Sequence, residues 1–166
     1  MLFIGCPCQV KKLKEFLGKD YVNLIAIDLL CNGYSRNEFL RRFVEEQEKK
    51  ENSKITSLDM RLNHSVYLYI KFANGKEKIL NDVVTKIFVC NKTNYIEECK
   101  TCNMHTSGNS HADLTIGDFW GFNSYRNICD ENFNPKNGSN VIYVNTERGL
   151  HYFNCIKNQL EWRYLR

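Results

Sequence analysis

The first third of the chain alternates between short apolar runs and segments with helical periodicity. Leu2–Gly5 is a short apolar run that ends at a turn, and apolar residues then recur at helical spacing up to Gly18. Val22–Leu30 is a nearly continuous apolar run, which is typical of a strand buried on both faces. A second helical pattern begins after it, where Ser35 and Glu38 match a capping box. This order predicts a βαβα start in which the first two strands are parallel.

The middle of the chain predicts antiparallel strands. Ile55–Leu62 and Val66–Phe72 are strand candidates, and an Asn74-Gly75 pair follows them before the segment KEKIL. An Asn-Gly pair between strand-like runs is the strongest short-range signal for a hairpin. We therefore expect a hairpin around this pair.

Two more strands and a helix complete the predicted fold. Strands are expected at Asp113–Phe119, which alternates with period two, and at Val141–Val144. Thr146 is placed to cap a final helix, whose inward residues are expected to be Leu150, Phe153 and Ile156. The predicted fold class is α/β (α+β), with a mixed sheet that starts as parallel βαβ and an antiparallel hairpin region. We expect residues 1–166 to form a single domain.

Composition is that of a globular protein and excludes several other classes. Hydrophobic residues make up 43% of the chain and charged residues 25%, which excludes a disordered tail or a collagen-like chain. The net charge of +4 and the isoelectric point near 8.6 are below what nucleic-acid-binding domains usually show, so no nucleic acid is expected as a partner. The apolar run Leu24–Cys31 is interrupted by Asp28 and is too short for a membrane span. A cytoplasmic location is therefore expected.

Eight cysteines are the main chemical feature of the sequence. In a reducing compartment, clustered cysteines are more often metal ligands or catalytic groups than structural bridges. Cys8 follows the first predicted strand and Cys31 the second, so parallel strands would place both at the carboxyl edge of the sheet. Cys99 and Cys102 have the two-residue gap used by metal and cluster sites. On spacing alone, an iron–sulfur cluster, a tetrahedral zinc ion and unrelated buried thiols all remain open.

Four segments of the sequence resemble the motifs of one protein family. In chain order they are LFIGCPCQVKKLKEFLG, NLIAIDLLCNG, CKTC and ADLTIGDFWG. They resemble, respectively, a strand-turn-helix with a G-T-P-C-Q core, a D-L-x-C-H-G segment, a C-x-x-C pair and the signature A-D-I-T-I-G-D-F-W-G. All four motifs occur in the C-terminal domain of the coenzyme F-420 (deazaflavin) hydrogenase/dehydrogenase beta-subunit family. The sequence resembles this domain over nearly its whole length.

The resemblance implies an FAD-linked iron–sulfur oxidoreductase domain that carries one 4Fe–4S cluster beside the flavin. By this correspondence the cluster ligands are Cys8, Cys31, Cys99 and Cys102. The residues expected to line the flavin side are Gly5, Pro7, Gln9, Asp118 and Trp120. Electrons would pass as hydride between a deazaflavin or similar donor and FAD. The cluster would then pass them singly to an electron-transfer protein or a second redox centre.

Departures from the family pattern keep an alternative open. Cys6 stands where the family usually has Thr, and Asn32 replaces the His after Cys31, which argues against a proton-transfer role there. The family normally has more chain before the first motif, including a ferredoxin-like segment and flavin-contacting residues. The sequence is therefore expected to be a fragment or a truncated member. The alternative function is a non-catalytic interaction module stabilised by zinc on the four cysteines, or a degenerate remnant of the family.

Overall fold

The structure is a computed structural model that describes residues 1–60, 67–81, 92–104, 110–119 and 138–164. The strands are Leu2–Gly5 (β1), Ile25–Leu29 (β2), Ile55–Asp59 (β3), Leu68–Phe72 (β4), Glu77–Leu80 (β5), Leu114–Asp118 (β6) and Asn140–Val144 (β7). The α-helices are Pro7–Leu17 (α1), Asn37–Glu51 (α2), Glu97–Lys100 (α3) and Glu147–Ile156 (α4). Two short 3-10 turns occupy Lys92–Asn94 and Lys157–Gln159. Within the described ranges, no helix has the length and apolar character that crossing a membrane requires.

The chain divides into two compact units. The first unit combines Met1–Cys31 with Asn103–Arg166, and the second is Asn32–Cys102. In the first unit, a sheet of order β1-β2-β6-β7 has three parallel strands, and β7 lies antiparallel to β6. In the second unit, β3, β4 and β5 form an antiparallel sheet. The predicted α/β (α+β) class with a mixed sheet is confirmed, whereas the single domain stays a prediction.

Helix α1 begins and ends where its sequence signals predict. Pro7 occupies the first helical position, where its fixed φ and missing N–H are compatible with a helix start. Before it, the backbone N–H of Cys6 donates to Oε1 of Gln9 at 2.8 Å, which closes the first turn. At the other end, Gly18 adopts a left-handed φ of 65° and its N–H donates to the carbonyl of Lys14. The cluster that packs α1 on the sheet consists of Val10, Ala26, Ala112 and Phe3.

The side chain of Asp113 connects three parts of the first unit. It is completely buried, and its carboxyl group accepts hydrogen bonds from the Ala26 N–H at 2.9 Å and the Thr146 hydroxyl at 2.7 Å. Arg148 Nε donates to the same carboxyl at 3.0 Å, while its Nη2 donates to the exposed Asp20 at 3.0 Å. A buried carboxylate is tolerated when its charge is paired and its oxygens are hydrogen-bonded. This group therefore fixes the start of α4 against β2 and the segment that enters β6.

Helix α4 starts at the predicted cap, but fewer of its apolar side chains are buried than predicted. The Thr146 hydroxyl accepts a hydrogen bond from the Gly149 N–H at 3.0 Å, so the predicted N-cap is confirmed. Of the three residues expected to point inward, only Phe153 is buried. The prediction was wrong for Leu150 and Ile156, which are 41% and 45% exposed. The reason is that Gly149, not Leu150, faces the neighbouring backbone.

The second unit is built on the predicted hairpin. Strands β4 and β5 pair antiparallel around Asn74-Gly75, where Gly75 has a φ of 84°, so the hairpin is confirmed. Phe43 of α2 packs against buried residues of β4, namely Leu68, Ile70 and Phe72. Glu48 near the end of α2 accepts from the Ile55 N–H at 2.9 Å and from Lys54 Nζ at 2.6 Å. These bonds attach the helix end to the start of β3.

Several element boundaries differ from the prediction. Strand β2 is shorter than Val22–Leu30, because Val22 lies in a turn and is 90% exposed. Helix α2 begins at Asn37 with Arg36 as N-cap and no side-chain cap bond, so the capping box at Ser35 was wrong. Ser35 instead forms a β-bridge, and this pairing keeps it out of the helix. Strand β3 ends at Asp59, and residues 61–66 lie outside the described ranges.

We predict that Gly149→Ala destabilises the protein, although alanine normally favours a helix. A Cβ at position 149 would collide with the backbone carbonyl oxygen of Asp113, which cannot move without breaking the Asp113 contacts. The expected loss is about 1–3 kcal/mol of unfolding free energy, as for other overpacked sites. Urea unfolding followed by circular dichroism measures it. Asn154→Ala, an exposed position of the same helix, is the control and should change stability by no more than about 0.5 kcal/mol.

We predict that acid weakens the first unit through Asp113. Burial raises the pKa of the Asp113 carboxyl, but bonds from Ala26, Thr146 and Arg148 outweigh burial and lower its pKa below the ordinary value. The resulting stabilisation is fully present above the unfolded-state pKa, about 3.9. It is lost as pH falls through the lower folded-state pKa. Asp113→Asn should therefore flatten the fall of the unfolding free energy as the pH drops below about 4.

Urea unfolding across this pH range gives the slopes for both proteins. Asp20→Asn serves as the control, because the Arg148 hydrogen bond also lowers the pKa of Asp20, but this carboxyl is solvent-exposed. Exposed ion pairs contribute little to stability, so the control should change the slope less. Equal slopes for the wild type and Asp113→Asn would contradict the assignment.

Candidate functional site

The carboxyl ends of the three parallel strands form one edge of the first unit's sheet. Gly5 of β1 pairs with Asp28 of β2, and Asp28 pairs with Thr115 of β6. Because these strands are parallel, the residues that follow them lie at the same edge, where open α/β sheets usually bind ligands. Cys31 follows β2 by two residues, and Asp118 is the last residue of β6. The structure thus places Cys31, Asp118 and the turn after β1 at one edge.

The turn after β1 carries four of the predicted site residues. They are Gly5, Pro7, Cys8 and Gln9. Cys8 is exposed in the first turn of α1, at the positive end of the helix dipole, where negative charge is favoured. A Cβ at Gly5 would meet Oε1 of Gln9 at 2.9 Å, so the absence of a side chain there allows the turn to close. The turn is therefore shaped by Gly5 and Gln9 and presents Cys8 to solvent.

A close backbone approach holds the strand that leads to Cys31. The N–H of Leu30 donates to the Ile116 carbonyl at 2.8 Å, which extends the pairing of β2 with β6. A Cβ at Gly117 would meet the Cβ of Leu30 at 2.5 Å, closer than real Cβ contacts. Gly117, the first glycine of the GDFWG segment, is therefore required for this packing. Trp120 of the same segment lies outside the described residues.

Cys99 and Cys102 belong to the second unit. Cys99 lies in α3 and Cys102 lies two residues beyond its last residue, and both are half-buried. The residues before them pair with the residues that follow Cys31 in sequence. The Arg36 N–H donates to the Asn94 carbonyl at 2.9 Å, and the Ile96 N–H to the Tyr34 carbonyl at 3.0 Å. Within this unit, the residues just before Cys99 are thus hydrogen-bonded to residues 34–36.

Gly33 makes this pairing possible. Its φ is +99°, a conformation that favours glycine, and a Cβ at this position would meet the Tyr95 ring at 2.6 Å. Tyr95 is buried and forms a β-bridge with Ser35. An ion pair between Arg36 and Glu97, at 2.7 Å, joins the same two segments. The pKa of Glu97 is lowered by the hydrogen bond from Lys100, by the charge of Lys100 and by the charge of Arg36. These interactions favour the ionised form that the ion pair requires.

The four predicted cluster ligands lie in both units. Cys8 and Cys31 belong to the first unit, and Cys99 and Cys102 to the second. None of the six cysteines within the described ranges is in a disulfide. Among the described residues, no group of three or more His, Cys, Asp or Glu side chains stands ready to hold a metal ion. The assignment of these four cysteines as one ligand set therefore stays a prediction.

A hydrogen-bonded network that was not predicted from the sequence surrounds Asp28. The Asp28 side chain is completely buried and accepts hydrogen bonds from the Thr115 hydroxyl at 2.5 Å and the Ser110 hydroxyl at 2.8 Å. Asn145 Nδ2 in turn donates to the Thr115 hydroxyl at 2.9 Å. This network joins β2, three residues before Cys31, to the segment that enters β6. The signal for it was present, because a charged residue interrupts the apolar run of β2.

We predict that Thr115→Val destabilises the protein by about 1–3 kcal/mol, because it removes one of the two hydroxyl donors to a buried carboxyl group. The valine has nearly the same shape, so packing is preserved. Thr56→Val is the matched control, since the exposed Thr56 hydroxyl donates only to the Lys71 carbonyl. Urea unfolding of both variants measures the difference. Equal destabilisation by the two substitutions would contradict a special role for the Asp28 network.

Comparison with solved structures finds a similar chain in the F420-reducing [NiFe] hydrogenase complex from Methanosarcina barkeri. The TM-score is 0.46 and the sequence identity 11%. The alignment covers 95% of this chain and 48% of that one, so this chain spans about half the length of the hydrogenase chain. Comparison with curated proteins finds no match.

Comparison with protein-family models gives a match that covers nearly the whole chain. The matching family is described as the C terminus of the coenzyme F420 hydrogenase/dehydrogenase beta subunit, and the match runs over residues 1–164. It includes all four segments whose motifs resemble this family. The family is named for the beta subunit of a hydrogenase/dehydrogenase, which is a redox enzyme. The chain therefore belongs to the family formed by the C-terminal part of the coenzyme F420 hydrogenase/dehydrogenase beta subunit.

Proposed function

We propose that this chain is an FAD-linked iron–sulfur domain that passes electrons between a hydride-type donor, a deazaflavin or a similar compound, and a redox partner. One 4Fe–4S cluster is held by Cys8, Cys31, Cys99 and Cys102. The observation that carries the proposal is the family match over residues 1–164, which includes the motifs bearing all four cysteines.

The chemistry of the four cysteines fits a cluster. Iron–sulfur clusters are bound by thiolates, and a 4Fe–4S cluster takes four of them. None of these four thiols is used in a disulfide, and none is completely buried. Cys99 and Cys102 have the compact spacing that cluster sites use. The donor set contains sulfur only, which is the set that iron–sulfur clusters and some zinc sites select.

The backbone near the proposed ligands also supports the proposal. The residues that follow Cys31 pair with those that precede Cys99, through Ser35 with Tyr95 and through Ile96 with Tyr34. Cys8 lies in the first turn of α1, where the positive end of the helix dipole favours a negatively charged ligand. These features would position the ligand thiols within each unit.

The flavin side is assigned to the turn after β1 and the end of β6. Gly5 lacks a side chain, which lets a ligand come close to the backbone of this turn. Gln9 binds the Cys6 N–H through Oε1 and so fixes the turn that precedes Cys8. Asp118 is exposed at the end of β6 and adds a carboxyl group to the same edge. Pro7 and Trp120 complete the proposed set of flavin-lining residues.

When bound, the flavin and the cluster supply the conversion between two-electron hydride transfer and one-electron transfer. The chain's own residues bind and orient these groups. The single electrons then need an acceptor, so an electron-transfer protein or a second redox centre is proposed as the partner. A cytoplasmic location is proposed with it, because a reducing compartment keeps ligand thiols available.

An alternative function uses the same cysteines without redox chemistry. Four thiolates also suit a structural zinc ion in tetrahedral geometry. The chain would then be an interaction module, or a remnant of the family that has lost its flavin partner. The observation in its favour is the Asn32 that replaces the family's His beside Cys31.

We predict that the full chain purified without oxygen contains iron and sulfide in equal amounts, about four of each per chain. Cys8→Ser should lose most of both, because serine is a poor ligand for a cluster iron. Cys6→Ser is the matched control two residues away, and it should keep both. Iron, sulfide, zinc and flavin are measured in the same samples by elemental analysis, sulfide assay and absorbance.

Circular dichroism checks that both variants fold, which the exposure of Cys8 favours. Stoichiometric zinc without iron or sulfide would contradict the cluster and support the zinc module. Loss of iron in Cys6→Ser but not in Cys8→Ser would show that the ligand set is wrong. Iron and sulfide without bound flavin would support the cluster and contradict flavin binding by this chain.

A further inference from the structure

Helix α4 carries a histidine and a cysteine on one exposed side. His151 and Cys155 are four residues apart, so they are neighbours on the helix surface, one turn from each other. Both side chains are exposed, and the distance from His151 Nε2 to Cys155 Sγ is 4.0 Å. Neither residue belongs to the cysteine set of the proposed function. The two side chains are in hydrogen-bonding contact at this distance.

The separation of the two atoms is close to that in a metal chelate. Zinc binds a cysteine sulfur at about 2.3 Å and an imidazole nitrogen at about 2.0 Å, so a tetrahedral angle puts these ligand atoms roughly 3.5 Å apart. In the structure they are 4.0 Å apart. A small rotation of two exposed side chains closes this difference without moving the helix backbone.

We propose that His151 and Cys155 form a surface site for a divalent metal ion with affinity for sulfur and nitrogen, such as Zn²⁺ or Cd²⁺. Thiolate and imidazole are ligands that these ions prefer. Glu147 is exposed one turn before His151, and its negative charge favours a cation on this side of α4. Water fills the remaining coordination positions.

Binding involves no oxidation or reduction. The metal–sulfur bond replaces the sulfur–hydrogen bond of Cys155, and the thiol proton is released to solvent. His151 contributes the lone pair of Nε2 as a neutral imidazole. The bound ion then connects two successive turns near the end of α4.

This site has a direct consequence for metal analysis of the protein. Zinc recovered with the purified chain would have two candidate sources: the four cysteines of the alternative zinc module and the pair on α4. Cys155→Ser removes only the second source. The two proposals can therefore fail independently, since neither uses a residue of the other.

Cadmium titration of the full chain, followed by cadmium NMR, tests the site. The wild type is expected to bind one more cadmium ion than either Cys155→Ser or His151→Gln. The extra ion should give a resonance typical of one sulfur ligand, well separated from that of a four-sulfur site. Affinity at this site should fall at least ten-fold in either variant.

His111→Gln is the matched control, because it removes another exposed histidine of the same unit and should leave cadmium binding unchanged. Equal cadmium uptake by the wild type and both α4 variants would overturn the proposal. Loss of the ion in Cys155→Ser but not in His151→Gln would also overturn it, because the thiol alone would then be the binding group. Circular dichroism verifies that each variant is folded.

Discussion

The buried carboxyl group of Asp113 is the interaction on which the first unit depends. It accepts hydrogen bonds from the backbone of β2, from the cap of α4 and from Arg148. These partners come from distant parts of the sequence, and a buried carboxylate is costly if any of them is lost. The sheet edge that carries Cys8, Cys31 and Asp118 belongs to this unit. Asp113 thus links β2 and α4 to the start of β6 in the unit that carries this edge.

Glycine determines where the backbone can approach other groups closely. Gly149 lets α4 reach the Asp113 carbonyl, Gly117 lets β6 contact Leu30, and Gly33 makes room for the Tyr95 ring. Each contact lies in or next to a segment that leads to a predicted site residue. A methyl group at these positions would collide with the Asp113 backbone, the Leu30 side chain and the Tyr95 ring, respectively. The glycine of this family signature, Gly117, therefore has a packing explanation.

The candidate site was predicted in part from topology. Parallel strands were expected to place Cys8 and Cys31 at one sheet edge, and the register of β1 with β2 places them there. The assignment of Cys99 and Cys102 as ligands of one site rests on their spacing and the family motif, and it stays a prediction. The network around Asp28 was not predicted, because sequence shows a charged residue in a strand but not the hydroxyl groups that meet it. These come from Thr115 and Ser110, more than eighty residues later.

The sequence by itself determined the fold class, the hairpin at Asn74-Gly75, the cap at Thr146 and the family. These depend on local periodicity, turn residues and motifs, which short segments carry. Only the tertiary structure decided that Leu150 and Ile156 remain exposed, that Ser35 pairs instead of capping α2, and that His151 and Cys155 stand exposed on α4. Each of these depends on the contacts that a residue makes, or does not make, with distant segments of the chain. The periodicity of a short segment contains no information about such contacts. Asp28 is an example: the sequence shows a charged residue within the apolar run of β2, but only the fold shows that the Thr115 and Ser110 hydroxyls donate hydrogen bonds to it.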